Sequence, residues 1–213
     1  QFQKDEESLK DEIRHDIDRV HESLSRKQRA TKYFTISFLG KTKVGKSTLH
    51  AILTGDGWES IGKGRQRTTR YNRVYEWKNI RIIDTPGIGA PGGRSDEDIA
   101  ASVLDESDVV CFVLTNNNQQ ETEFRFLRLL KEKAKPLVLL LNVQENLEQE
   151  GRRERFLKDS DRLFSSDKRH LGGHLDRIRT YTRQFYGYDS FEIVPVQLLA
   201  AQLSYRSELA AQR

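Results

Sequence analysis

The sequence predicts an α/β fold: a mostly parallel sheet of six strands with helices on both faces, preceded by one long helix. Three observations predict it. From residue 33 onward, apolar runs of strand length alternate with helical patterns. Those runs are nearly continuous in apolar residues, as strands covered on both faces are. The first of them ends in a glycine loop that opens a helix, "FLGKTKVGKST". At 213 residues the chain suits one main domain with a sizeable core.

Residues 1–30 contain neither Gly nor Pro and place Leu9, Ile13, Ile17, Val20 and Leu24 at spacings of four, four, three and four. That is a long helix with one narrow apolar stripe, a seam suited to packing on another helix. The second region, 31–213, begins with the strand "KYFTISFLG" and the short helix "STLHAILTG". "YNRVYEW" and "IRIIDT" read as strands joined by a turn at Lys78 and Asn79. After the loop "PGIGAPGGRS" come a helix over 96–106, the strand "DVVCFVLT", a helix over 120–134 and the strand "PLVLLLN". Residues 147–187 carry two more helical patterns, the second with Leu171, Leu175, Ile178 and Phe185 on one face. The last strand is "FEIVPV", and the chain closes with "QLLAAQLSYRSELAAQR", a helix without a stop signal. That helix is expected to pack beside the first one and to continue in a longer protein. The absence of methionine gives the same expectation of a fragment or processed form.

Composition excludes several classes. Thirty-six Lys and Arg against 32 Asp and Glu leave a net charge of +4, which does not demand nucleic acid. Cys111 is the only cysteine, so disulfides and cysteine metal clusters are excluded, and a reducing, cytoplasmic setting is expected. No apolar run reaches membrane-spanning length; any membrane association is expected to come through the rest of a longer protein. His170 and His174 stand four apart, but Gly172 and Gly173 intervene and no third ligand is placed, so no metal site is read there. Residues 151–180 hold nine Lys and Arg against five Asp and Glu, a basic stretch that a solvated helix face explains.

The chemistry is concentrated in Gly40, Lys41, Thr42, Lys43, Val44, Gly45, Lys46 and Ser47, which satisfy G-x-x-x-x-G-K-[ST]. In such a loop, running on into Thr48, the glycines let backbone N–H groups converge on phosphates. Lys46 reaches the β and γ oxygens, and Ser47 binds Mg²⁺. A strand precedes the loop and a helix follows it, as the mechanism requires. "IRIIDTPG" supplies Asp84 for the Mg²⁺ shell, through water, and the Gly87 N–H for the γ-phosphate. Between the two, "GRQRTTR" offers Thr68 and Thr69, one of which completes the metal shell. Residues 59–81 carry seven Lys and Arg against Glu59 and Glu76.

These residues resemble translation-factor-related P-loop GTPases, in the branch that includes the Era-like and bacterial dynamin-like proteins. "GKTKVGKS", "TTR" and "DTPG" carry the resemblance, which covers roughly residues 33–200. It implies the P-loop GTPase fold, Mg²⁺, and GTP or GDP as ligand, and it makes Thr69 the switch threonine ahead of Thr68. The base-reading motif, usually N/T-K-x-D, is "NVQE" here: Asn142 is kept, Val143 replaces the lysine, and Glu145 replaces the aspartate that reads guanine. Ile88 stands where relatives place a water-orienting glutamine. Lys43 holds the position where dynamin-like proteins bind a monovalent cation, and it is the candidate for that help; Arg65, Arg67 and Arg70 are alternatives.

The catalytic set is thus Lys43, Lys46 and Thr69. The resemblance implies GTP hydrolysis with switch motion passed to flanking helices, and it allows a homodimer across the nucleotide face. A nucleotide-dependent binding module for RNA, ribosome or protein is the alternative, favoured by Ile88 and "NVQE". An ATPase on the same fold is the third reading.

Overall fold

The computed structural model describes residues 2–55, 73–87, 96–117, 119–165, 167 and 171–211. Helix α1 covers Phe2–Lys32, slightly past the expected boundary. Strand β1 (Phe34–Leu39) runs into the glycine loop and α2 (Lys46–Thr54) leaves it. A tight turn with Lys78 at φ 55° joins β2 (Arg73–Trp77) to β3 (Ile80–Asp84). Then follow α3 (Asp96–Leu104), β4 (Val109–Thr115), a 3-10 turn (Glu121–Phe124), α4 (Leu127–Glu132) and β5 (Leu137–Asn142). The chain continues through α5 (Glu150–Lys158), α6 (Asp161–Phe164), α7 (Gly172–Tyr186), β6 (Ile193–Val196) and α8 (Leu198–Ala211).

The six strands form one sheet in the order β2-β3-β1-β4-β5-β6, parallel throughout except for the antiparallel edge strand β2. Pro195 lies in the opposite edge strand, where a missing N–H costs no ladder bond on the open side. Successive side chains of a strand point to opposite faces, and the two halves of the core follow from that. Phe112 and Leu114 join Leu39, Ile83, Leu139 and Leu141 on one face, under α3, α4 and α7. Cys111 and Val113 join Phe38 and Ile82 on the other, with Leu49 of α2 and Leu198 of α8. This two-sided burial is why β4 and β5 lack polar alternation, while the edge strand β2, "RVYEW", keeps it.

Two expectations need correction. The single helix over 120–134 is a 3-10 turn followed by α4. Phe124 and Phe126 are both buried and both meet Phe112 edge-on, with ring centroids 5.4 and 4.8 Å away. Residues two apart on one α-helix point nearly opposite ways, so the break lets both rings face the core. The second correction concerns α1. Its stripe is not covered by α8: Ile13, Ile17, Val20 and Leu24 are each about half exposed. Helix α8 packs on α2, and α1 meets the body at β1. Among the described residues, no helix is long and apolar enough to cross a membrane.

Candidate functional site

Parallel strands deliver their carboxyl ends to one side of the sheet, and ligands of open α/β sheets bind there. Here that side gathers the glycine loop after β1, Thr85–Gly87 after β3, Asn116 and Asn117 after β4, residues 143–146 after β5, and Gln197 after β6.

The loop's shape depends on glycine at two places. Gly40 has φ 148°, and a Cβ there would stand 2.3 Å from the Val113 carbonyl oxygen. Gly45 has φ 106°, and its Cβ would meet Leu198 at 2.7 Å and Asn142 at 3.0 Å. Any side chain would therefore push the loop off β4 or off the start of α8. Lys43, at φ 68°, takes the left-handed conformation without glycine's freedom, a strain of order 1 kcal/mol.

The three lysines of the loop have three different environments. Lys46 is buried, and its Nζ donates to the carbonyls of Gly40 at 2.8 Å and Lys41 at 2.9 Å. Burial lowers its pKa to about 8, against a smaller opposing effect from Asp84. Lys41 points away from the loop: its Nζ donates to Glu123 at 2.7 Å and Gln120 at 3.1 Å. Its side chain thus neutralises a buried carboxylate, and its part in the expected nucleotide set falls to its backbone. Lys43 is exposed at the cleft, and its carbonyl accepts from Gln144 Nε2 at 3.1 Å.

Ser47 and Asp84 are brought together as expected, the hydroxyl donating to Asp84 Oδ2 at 3.0 Å. Asp84 is almost fully buried, and Oδ1 has no hydrogen-bond partner. Burial raises its pKa, opposed by Lys46, the Ser47 hydrogen bond and Arg73. A hydroxyl beside an orphaned carboxylate oxygen is a hard-oxygen pair that fits Mg²⁺, which keeps waters and phosphate oxygens as its remaining ligands.

At the other end lies an open cleft of about 810 Å³, lined by Lys43, Thr48, Asn142, Gln144, Glu145 and Gln197 among others. Asn142 is buried; its Nδ2 donates to the Val44 carbonyl at 2.9 Å, and its Oδ1 accepts from Leu198 N at 3.2 Å. One side chain thereby joins the glycine loop, β5 and α8. Val143 lies in the core, so nothing at that position can lie along a base. Gln144 is bracketed instead: Nε2 is on Lys43, Oε1 accepts from Asn117, and its N–H donates to Asn116 Oδ1. Glu145 borders the cleft and accepts from Arg152 of α5 at 3.2 Å.

Thr68, Thr69, Arg65, Arg67, Arg70, Ile88 and His170 lie outside the described residues. The sequence reading gave no role to Gln144, Asn116, Asn117 or Gln197, although Gln197 stands where the family's last motif is expected after the sixth strand. Gln197 Nε2 donates to the Glu145 carbonyl, while its Oε1 accepts from Leu199 and Ala200 N–H groups at the start of α8. Only its place after the last strand could have pointed to it.

Residues 35–143 match the family described as 50S ribosome-binding GTPase. GTPase Era of Ureaplasma parvum serovar 3 is 30% identical over 184 residues, covering 72% of this chain and 60% of that protein. GTPase Der of Buchnera aphidicola subsp. Baizongia pistaciae is 30% identical over 124 residues, covering 53% of this chain and 27% of that one. Among solved structures, Era in complex with MgGDPNP and nucleotides 1506–1542 of 16S ribosomal RNA superposes with a TM-score of 0.51. It is 26% identical and covers 85% of this chain and 56% of its own. The chain therefore spans between a quarter and three fifths of these relatives' lengths.

Proposed function

The chain belongs to the 50S ribosome-binding GTPase family, and from that membership we propose that it binds a guanine nucleotide with Mg²⁺ and hydrolyses GTP as the GTPase domain of a longer protein. The observation that carries this is the junction of Lys46, Ser47 and Asp84 beneath a loop whose Gly40 and Gly45 have no room for a Cβ.

Gly40 to Ser47 cradle the phosphates through backbone N–H groups, with Thr48 at the head of α2. Lys46 leaves the Gly40 and Lys41 carbonyls to meet the β and γ oxygens, which offset the penalty that burial places on its charge. Ser47 and Asp84 would hold Mg²⁺, the aspartate by way of a water, and Thr69, ahead of Thr68, would be the switch ligand. When bound, the metal neutralises charge on the β- and γ-phosphates. Glu145 accepts from the guanine edge, and Asn142 fixes its loop against the cradle. Lys43 lies between the phosphate and base ends and supplies a tethered positive charge as hydrolysis proceeds.

Support for transmitted motion comes from Leu198: the first residue of α8 is bonded to Asn142, so the helix starts one hydrogen bond from the cleft. The switches, the dimer across the nucleotide face, and a membrane contact are parts of this same proposal. A second reading, an RNA- or ribosome-binding module with slow turnover, is favoured by the RNA-bound Era structure and by exposed Arg152, Arg153, Arg155 and Lys158 on α5.

Single-turnover GTP hydrolysis at rising protein concentration, for wild type and Lys43→Ala, tests the proposal. Turnover that accelerates with concentration and falls at least tenfold in Lys43→Ala, at unchanged GDP affinity, is expected. Absence of turnover at every concentration favours the binding module, and unchanged turnover in the variant removes Lys43.

A further inference from the structure

The carbonyls and side chains of the glycine loop are mostly spoken for: Lys41 Nζ on Glu123, the Lys43 carbonyl on Gln144, the Val44 carbonyl on Asn142. Thr42 differs. Its hydroxyl oxygen is buried and has no hydrogen-bond partner. Over it lies the glycine of "DTPG". A Cβ added to Gly87 would stand 2.2 Å from Thr42 Oγ1, 2.5 Å from Thr42 N and 2.6 Å from Thr42 Cα. The turn after β3 therefore rests directly on the threonine, with no atom between them.

A buried hydroxyl without a partner is unfavourable, and native structures place such groups where something else supplies the partner. Two of its neighbours say what that is. Lys46, the cation that would meet the β and γ oxygens, is folded back onto the carbonyl of the residue preceding Thr42. Gly87 is the residue whose N–H would reach the γ-phosphate, and here it occupies the space above the threonine. On the proposed nucleotide site, the γ-phosphate is the group that would need the space Gly87 takes above Thr42.

We propose that Thr42 reads the γ-phosphate: when Gly87 lifts off, the threonine O–H donates to a γ-phosphate oxygen, and this contact discriminates nucleoside triphosphate from diphosphate. The inference rests on the proposed nucleotide site and adds to it a side-chain contact. It requires the hydroxyl and not the methyl group. Valine, of the same shape, keeps the packing under Gly87 and removes the donor, while serine keeps the donor. A hydrogen bond to a charged acceptor is strong enough for roughly a tenfold to hundredfold effect on affinity.

The test is equilibrium titration of the full chain with Mg²⁺, using diphosphates and non-hydrolysable triphosphate analogues of both guanosine and adenosine. For Thr42→Val, diphosphate affinity within about twofold of wild type and triphosphate affinity weakened about tenfold or more are expected; Thr42→Ser keeps the wild-type ratio. The nucleotide-free Thr42→Val protein should also melt above wild type, since it no longer buries an orphaned hydroxyl. Equal weakening of both nucleotide classes overturns the inference, as does an unchanged ratio in Thr42→Val. Because the ratio is read with either base, a preference for adenosine refutes the guanine assignment alone and leaves the Thr42 result interpretable. A wild type that binds none of the four overturns both.

Discussion

Lys46 is a buried cation, and replacing it by methionine should stabilise the nucleotide-free protein while, on the proposed site, abolishing nucleotide binding. Its pKa is lowered from 10.5 to about 8 by burial, which at about 1.36 kcal/mol per unit is a penalty of roughly 3 kcal/mol on the charged form near neutrality. Methionine matches the length of the stem but leaves the Gly40 and Lys41 carbonyls without their donor, a loss of roughly 1 kcal/mol each. The net expectation is a gain of about 1 kcal/mol, or about 2–4 °C in Tm for a chain of this size. Because the folded pKa lies below the unfolded one, the penalty is complete below about pH 8 and fades as pH rises toward 10.5. Denaturant unfolding of wild type and Lys46→Met without nucleotide, at pH 7 and pH 10, reads both effects. The variant should be the more stable at pH 7 and the less stable, by roughly 1 kcal/mol, at pH 10, where most of the charge penalty is gone but the two carbonyls still lack their donor, and Mg²⁺ with GDP should stabilise wild type only. A variant less stable than wild type at pH 7, or a difference independent of pH, would refute the reasoning.

Two further substitutions separate structural from ligand-facing roles. Asn142→Ala removes the link from Val44 to Leu198 and leaves buried backbone groups unpaired, so unfolding free energy should fall by roughly 2 kcal/mol, with weakened binding of every nucleotide; calorimetric titration beside a melting curve checks both. Lys41→Met strands Glu123, and a loss of roughly 1–2 kcal/mol in stability with nucleotide affinity nearly unchanged is expected, since the ammonium faces Glu123 and not the cradle; a large loss of affinity at wild-type stability would contradict that placement.

Much of the fold was legible because its physics is local or periodic. Strands buried on both faces are apolar nearly throughout, and β3, β4 and β5 were visible for that reason, whereas the edge strand β2 shows the alternation of a half-exposed strand. The glycine loop was legible because close approach to Val113, Leu198 and Asn142 forbids side chains at fixed positions. What escaped was tertiary. The apolar pattern over 120–134 is helical, and only the demand that Phe124 and Phe126 both reach Phe112 breaks it. The stripe on α1 is real as a pattern, but a pattern does not name its partner, and α8 spends its contacts on α2. Lys41 read as a charged loop position without a side-chain role, because Glu123, its partner, lies 82 residues away. At the base end, replacing the motif's lysine by Val143 looked like a loss, yet Gln144 ties that loop to Lys43 from the next position. Amide side chains carry no spacing signature, so that bracket became visible only in three dimensions.

The measurement bearing most directly on the central claim is competition for the cleft: displacement of a fluorescent GDP analogue from the full chain, in Mg²⁺, by GTP and by ATP. If Glu145 reads the base as proposed, GTP should displace the analogue at a concentration at least about tenfold below that needed for ATP. ATP competing as well as GTP, or better, would contradict the guanine assignment.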